Sequence, residues 1–213
     1  MASTPARAFR PVRPDGLVDE LAARCRPGLA HPFRVLIDGA DATQPRVLAA
    51  ALAEWLRTSG RPCAVVDLHD WLRPASLRLE HGHNNQDSYQ DHWFDYAALR
   101  REVLEPLGPG GSWMWLPTLR DPHTDRSTRV QRVAAPAATV LLVSGPMLLG
   151  RDLPFDVAVH LHVSEATMTR RTPTEQRWTV APLLAQELAA DSDAVADVVI
   201  RADHPDRPAV RFR

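Results

Sequence analysis

The chain contains no lysine: all 25 of its basic residues are arginine. This absence excludes Schiff-base chemistry on a lysine amine and any lysine clamp on phosphate, unless a partner supplies the residue. It agrees with a GC-rich coding bias, as does the abundance of Ala, Arg and Pro. Two cysteines, Cys25 and Cys63, are too few for a disulfide framework and suit a reduced, cytoplasmic setting. No apolar stretch reaches the roughly 18 residues that cross a bilayer. The opening MASTPARAFRPVRPDG carries arginines with no apolar segment behind them, so no secretory signal is expected, and 1–14 reads as a disordered leader. With 26 acidic residues against 25 basic and a net charge of -1, nothing favours nucleic acid or a membrane surface as partner.

What is present describes one ordinary globular domain over 15–213, at 45% hydrophobic and 24% charged residues. DGLVDELAARC (15–25) has apolar residues at helical spacing. FRVLID (33–38) predicts a short buried strand. From Pro45 to Ser59 a second helix is expected, with Val47, Leu48, Ala51, Leu52, Trp55 and Leu56 on one face and Gly60 ending it. CAVVDL (63–68), ATVLLVSG (138–145), DVAVHLHV (156–163) and ADVVIRA (196–202) predict further strands. DYAALRREVLEPL (95–107), SEATMTRR (164–171, Ser164 as N-cap) and WTVAPLLAQELAAD (178–191) predict helices, and 73–93 is polar and aromatic without a clear period. Strands alternating with helices imply a mostly parallel sheet covered on both faces.

VLIDGADATQPR (35–46) is an apolar strand running through glycine into a helix, which is where a phosphate-binding loop sits. Laid over G-x-x-x-x-G-K-[ST], Gly39 takes the first glycine, Gln44 the second, Pro45 the lysine and Arg46 the hydroxyl residue. A simpler reading also holds: Thr43 or Gln44 caps a helix that Pro45 opens, with no ligand required.

The wider context resembles the uridine kinase family. GADATQPRVLAAALAEWL aligns without a gap to that family's usual run, close to GASGSGKTTLARALAEAL. In order downstream, VVDLHDWLRP (65–74), FDYAALRREVLEPLGPGG (94–111), VLLVSGPMLL (140–149), LPFDVAVHLHVSEATMTRR (153–171) and ADVVIRADHPDRP (196–208) are similar to its later motifs. The resemblance spans roughly 33–208. It implies a three-layer α/β P-loop kinase fold with a five-stranded, mostly parallel sheet in the order 2-3-1-4-5 and a short lid.

The departures fall on the chemistry. The resemblance makes Gly39, Asp41, Thr43, Gln44, Pro45 and Arg46 the phosphate loop, but Pro45 deletes a charge and an N–H, and Arg46 cannot ligate magnesium. Ser144 replaces an acid. His69 stands where the catalytic aspartate is expected, with Asp70 beside it, so the candidate catalytic residues are Asp70 and His69. Arg170, Arg171 and Arg177 would belong to the lid. Tyr89, His92, Trp93 and Asp95 would border the acceptor pocket, and Asp95 also reads as a helix N-cap. Losing one stabiliser of developing charge typically costs about 10²–10³ in rate.

Three readings follow. The leading one is a degenerate uridine kinase-like protein that binds a nucleoside-like or phosphorylated small molecule, with ATP-dependent transfer weak or lost and no cofactor required. The second is an active atypical nucleoside kinase using arginines in place of the lysine, with ATP and Mg²⁺. The third is a partner-binding regulatory scaffold. Trp113, Met114 and Trp115 build a stacking pocket, pack the lid edge or meet a second copy, so a homo-oligomer stays open. No metal site is expected: His81, His83 and His92 lack a helical i, i+4 pairing, and His160 and His162 read as sheet histidines sharing one strand face.

Overall fold

A computed structural model describes residues 8–25 and 31–213. Its main sheet contains β1 (Arg10–Pro11), β2 (Phe33–Asp38) and β3 (Cys63–Asp67). Two small ribbons follow, β4 (Met114–Trp115) with β7 (Val133–Ala134) and β5 (Arg120–Asp121) with β6 (Arg126–Ser127). β8 (Val140–Gly145), β9 (Val157–His162), β10 (Val198–Arg201) and β11 (Ala209–Phe212) complete the main sheet, in the order β1-β11-β10-β9-β2-β8-β3. The helices are α1 (Pro14–Ala22), α2 (Pro45–Thr58), α3 (Ala75–Arg78), α4 (Gln86–His92), α5 (Tyr96–Leu99), α6 (Glu165–Arg171), α7 (Val180–Ala189) and α8 (Ser192–Val195).

The run β3-β8-β2-β9-β10 is parallel and reproduces the expected 2-3-1-4-5 order. The sheet is nevertheless seven-stranded, because β11 adds antiparallel to β10 and β1 antiparallel to β11. Part of the expected leader thus forms an edge strand: Arg10 and Pro11 pair with Val210 and Ala209, and α1 already begins at Pro14. Residues 1–7 of that leader lie outside the described residues.

Central strands read as continuous apolar runs because both faces are covered. All six residues of β2 and all six of β8 are buried. Val35, Ile37 and Leu142 face α1 and α2 on one side; Leu36, Leu141 and Val143 face the other side, with Leu99, Leu104 and Leu183. On α2 the buried stripe is Pro45, Leu48, Ala49, Leu52, Ala53 and Leu56. Val47 and Ala51, placed on that face by the sequence, are exposed, Val47 by 61%, because the buried i, i+4 row is Leu48, Leu52 and Leu56 and the Val47–Ala51 row lies beside it toward solvent. The stretch 73–93 is not irregular; it holds α3 and α4, too short to reveal a period. The helix expected over 95–107 begins as α5 and continues through a π-helical turn over Arg100–Leu104. Ser164 precedes α6 without capping it, because its hydroxyl is engaged with Asp203 and Thr167.

One buried charge stitches the lower sheet. The Arg34 guanidinium donates to both carboxylate oxygens of Asp156 at 3.1 and 3.2 Å and to the Leu104 carbonyl at 3.3 Å. It joins the starts of β2 and β9 to the helix beyond α5. No helix among the described residues is long and apolar enough to cross a membrane.

Candidate functional site

The site lies where the parallel strands end at their carboxyl edge, the usual position for ligands in open α/β sheets. β2 runs into Gly39, whose N–H donates to Gly145 O at 3.1 Å. A Cβ at Gly39 would sit 2.4 Å from Thr43 Oγ1 and 3.0 Å from Leu161 O, so only glycine fits. The loop then closes on itself in a 3₁₀ turn over Asp41–Thr43. Thr43 N donates to Ala40 O at 2.8 Å, Gln44 N to Asp41 O at 2.9 Å, and Thr43 Oγ1 to Ala40 O at 2.7 Å. Gln44 has φ 58° and ψ 51°, a left-handed conformation that glycine adopts more cheaply. Neither Thr43 nor Gln44 caps α2 through its side chain, contrary to the simpler sequence reading, because the Thr43 hydroxyl donates backwards and Gln44 points to solvent.

Charges beside the loop form a chain. Asp67, at the end of β3, accepts from His69 N at 3.0 Å and from His69 Nδ1 at 2.9 Å; its other oxygen accepts from Arg46 at 3.2 Å. His69 Nε2 lies 3.3 Å from Asp41 Oδ2. Arg46, in the hydroxyl residue's place, is therefore turned onto a carboxylate. Burial pulls the His69 pKa down, but the hydrogen bonds and charges of Asp41 and Asp67 outweigh it and raise the group to about 9. For Asp67, burial pushes upward and the His69 bonds with the His69 and Arg46 charges prevail, holding it below 3.8. Burial and then the Asp67 charge push the Asp70 carboxyl upward from its ordinary value. Because His69 is raised on folding from 6.5, its stabilisation is complete below about pH 6.5 and is lost as pH rises through about 9. The Asp67 contribution runs the other way, present above 3.8 and lost as pH falls through its depressed value. His69→Gln is expected to flatten the alkaline arm of the stability–pH curve, measured by urea unfolding from pH 6 to about 9.5. An unchanged wild-type slope in the variant would contradict the assignment.

Next to this chain opens a cleft of about 450 Å³, lined among others by Asp41, His69, Tyr89, Trp93, Phe94 and Trp178. Its wall is an aromatic cluster. Tyr89 meets Trp93 edge-on at 4.9 Å and Trp178 at 5.3 Å, and the two tryptophan rings are 5.6 Å apart. His69 stands edge-on to Phe94 at 5.8 Å. The Arg78 guanidinium lies 5.1 Å from the Trp93 ring centroid and is fixed by Arg73 O and Asp125. Such a slot suits a flat ring with polar substituents.

No protein-family profile matches the sequence, and no curated protein matches it. Solved structures do. A structure described as a possible uridine kinase from Bacillus stearothermophilus superposes with a TM-score of 0.69 at 19% identity, over 85% of this chain and 96% of that one. The fold is that of the P-loop kinases. A candidate fructose transport system kinase from Silicibacter sp. TM1040 agrees at TM-score 0.62 and 21% identity, over 85% and 91% of the two chains. Phosphoribulokinase from Rhodobacter spheroides agrees at 0.55 and 10%, over 86% and 80%.

On this P-loop kinase scaffold the residues singled out by sequence fall into separate places. Asp41, His69, Tyr89 and Trp93 come together at the cleft. Asp70 is not among its lining residues, and its carbonyl accepts from Leu119 N at 3.2 Å. His92 is exposed, 3.5 Å from the Arg73 guanidinium, and outside the cleft lining. Asp95 is a helix cap, its carboxylate accepting from Ala98 N at 2.9 Å. Arg170 and Arg177 line a separate open hollow with Ser164 and Glu165. Arg171 donates to the carbonyls of Ala42, Ala202 and Asp203, tying α6 to the loop. Trp115 is buried in the core, Trp113 is half-buried and Met114 exposed. Ser144 Oγ is buried with no hydrogen-bond partner among the described residues. Burial pushes the Cys63 thiol up to about 11, so it is inert at neutral pH. Phe94 and Trp178 were not singled out by sequence; Trp178 read only as the start of a helix, and no local signal links it to Tyr89.

Proposed function

We propose that this chain uses a P-loop kinase scaffold to bind a nucleoside-like or phosphorylated small molecule in its aromatic cleft, with ATP-dependent phosphoryl transfer weak or lost. The observation that carries this reading is the loop itself: the Thr43 and Gln44 amides are spent on the Ala40 and Asp41 carbonyls, while the cleft beside it stays open. A magnesium-bound triphosphate does not fit the residues present. Phosphoryl transfer depends on positioning and charge neutralisation. Here the lysine is Pro45, the metal-binding hydroxyl is Arg46, and the cations beside the loop, Arg46 and His69, are already paired with Asp67 and Asp41.

The arginine-based kinase needs cations that meet phosphate at the loop, yet Arg46 is paired with Asp67, Arg171 is held by three carbonyls, and Arg170 and Arg177 line a hollow separate from the cleft. A regulatory scaffold reading through Trp113 and Trp115 loses its broad surface because Trp115 is buried. Calorimetric titration with a panel of nucleosides and nucleoside monophosphates tests the proposal. Saturable binding to the cleft without phosphorylation of the ligand by Mg-ATP is expected; sustained ATP-dependent turnover would overturn it.

A further inference from the structure

A second cluster of chemistry-bearing side chains lies on the same face of the sheet as the aromatic cleft, with Ala40 and Leu183 lining both. His160 and His162 project from one face of β9, and α7 lays Glu187 against both. One ligand atom from each of the three lies within 4.8 Å of the others. His160 is 2% exposed, and its Nε2 is buried without a hydrogen-bond partner among the described residues, although Glu187 Oε1 is only 3.2 Å away. The two atoms face each other at contact distance without hydrogen-bond alignment.

The opposite side of the His160 ring is fixed. Nδ1 pairs with Asp38 Oδ2 at 2.8 Å, and the other Asp38 oxygen accepts from the Leu148 and Leu149 amides at 2.7 and 3.3 Å. A carboxylate behind a histidine, itself anchored by backbone N–H groups, sets the tautomer that leaves Nε2 free to ligate. We propose that His160, His162 and Glu187 form a binding site for one zinc-class divalent cation, with Asp38 as the outer-sphere residue that orients His160. Two imidazoles and a carboxylate suit zinc over magnesium or calcium, which prefer all-oxygen sets, and three protein ligands leave a coordination position open. Glu187 connects the site to the outside, since it lines both a small cavity with Asp38 and His160 and an open hollow with Leu184, Leu188 and Asp191.

Without an ion the same groups pair as imidazolium and carboxylate. The experiment separates the two states. Metal-stripped full-length protein is titrated with ZnCl₂ by calorimetry, and with Co²⁺ followed by its visible d–d absorption. One equivalent is expected to bind with a tetrahedral Co²⁺ spectrum. His162→Ala and Glu187→Gln, at partly exposed positions, are each expected to weaken Zn²⁺ binding by about 100-fold or more, and Asp38→Asn by about 10–100-fold. A His81→Ala/His83→Ala variant is expected to bind as wild type does. Absence of one-to-one binding, or binding unchanged in both His162→Ala and Glu187→Gln, overturns the proposal.

Discussion

Replacing Arg34 by methionine is expected to destabilise the fold by about 3–5 kcal/mol, because it strands a carboxylate among buried groups. The Arg34 side chain is 7% exposed and Asp156 18%, so neither can turn to water without opening the sheet edge. The Leu104 carbonyl also loses a donor. Most of the cost belongs to the orphaned Asp156 charge. Arg34→Met combined with Asp156→Asn should therefore recover part of it, while the Arg34 amide keeps its bond to the residue-156 side chain. Urea unfolding of the two variants measures this. A loss below about 1 kcal/mol in Arg34→Met would place the pair with weak surface ion pairs.

Trp178→Ala is expected to weaken binding of the cleft ligand by about 5- to 150-fold, since stacking a base on an aromatic side chain is worth about 1–3 kcal/mol. Trp178 is half-buried and touches both Tyr89 and Trp93, so its removal takes away one wall without removing a core residue. Calorimetry with whichever nucleoside binds wild type gives the ratio, and urea unfolding checks that the fold persists. Equal affinities would mean that the ligand sits elsewhere.

The alternation of strands and helices is legible because β2 and β8 are six-residue apolar runs and α2 repeats its apolar residues at i, i+4. The antiparallel edge is not legible. β1 is two residues long and pairs with residues about 200 positions away, a distance across which no local pattern operates. At the loop, the missing lysine and hydroxyl are plain in Pro45 and Arg46. The convergence of Asp41, Asp67 and His69 is set by the β3–β8–β2 arrangement, which brings separate strand ends together. Trp178 reaches Tyr89 because the turn before α7, and α7 itself, pack against α4. His160 and His162 are visible as a same-face pair, but Glu187 joins them from a helix whose rotation depends on packing. Asp95 illustrates the opposite case: a local capping signal read from sequence and formed as a local hydrogen bond.

The proposal that ATP-dependent transfer is weak or lost rests on a loop that lacks the lysine and the hydroxyl and turns its Thr43 and Gln44 amides onto its own carbonyls. Its most direct test is calorimetric titration of Mg-ATP into wild type and into a Gln44→Gly/Pro45→Lys/Arg46→Thr variant. Wild type is expected to bind more weakly than about 100 μM, near -5.5 kcal/mol, and the variant more tightly than wild type, since Gln44 already holds the left-handed geometry that glycine would take. Wild-type binding of Mg-ATP tighter than about 100 μM would contradict the account.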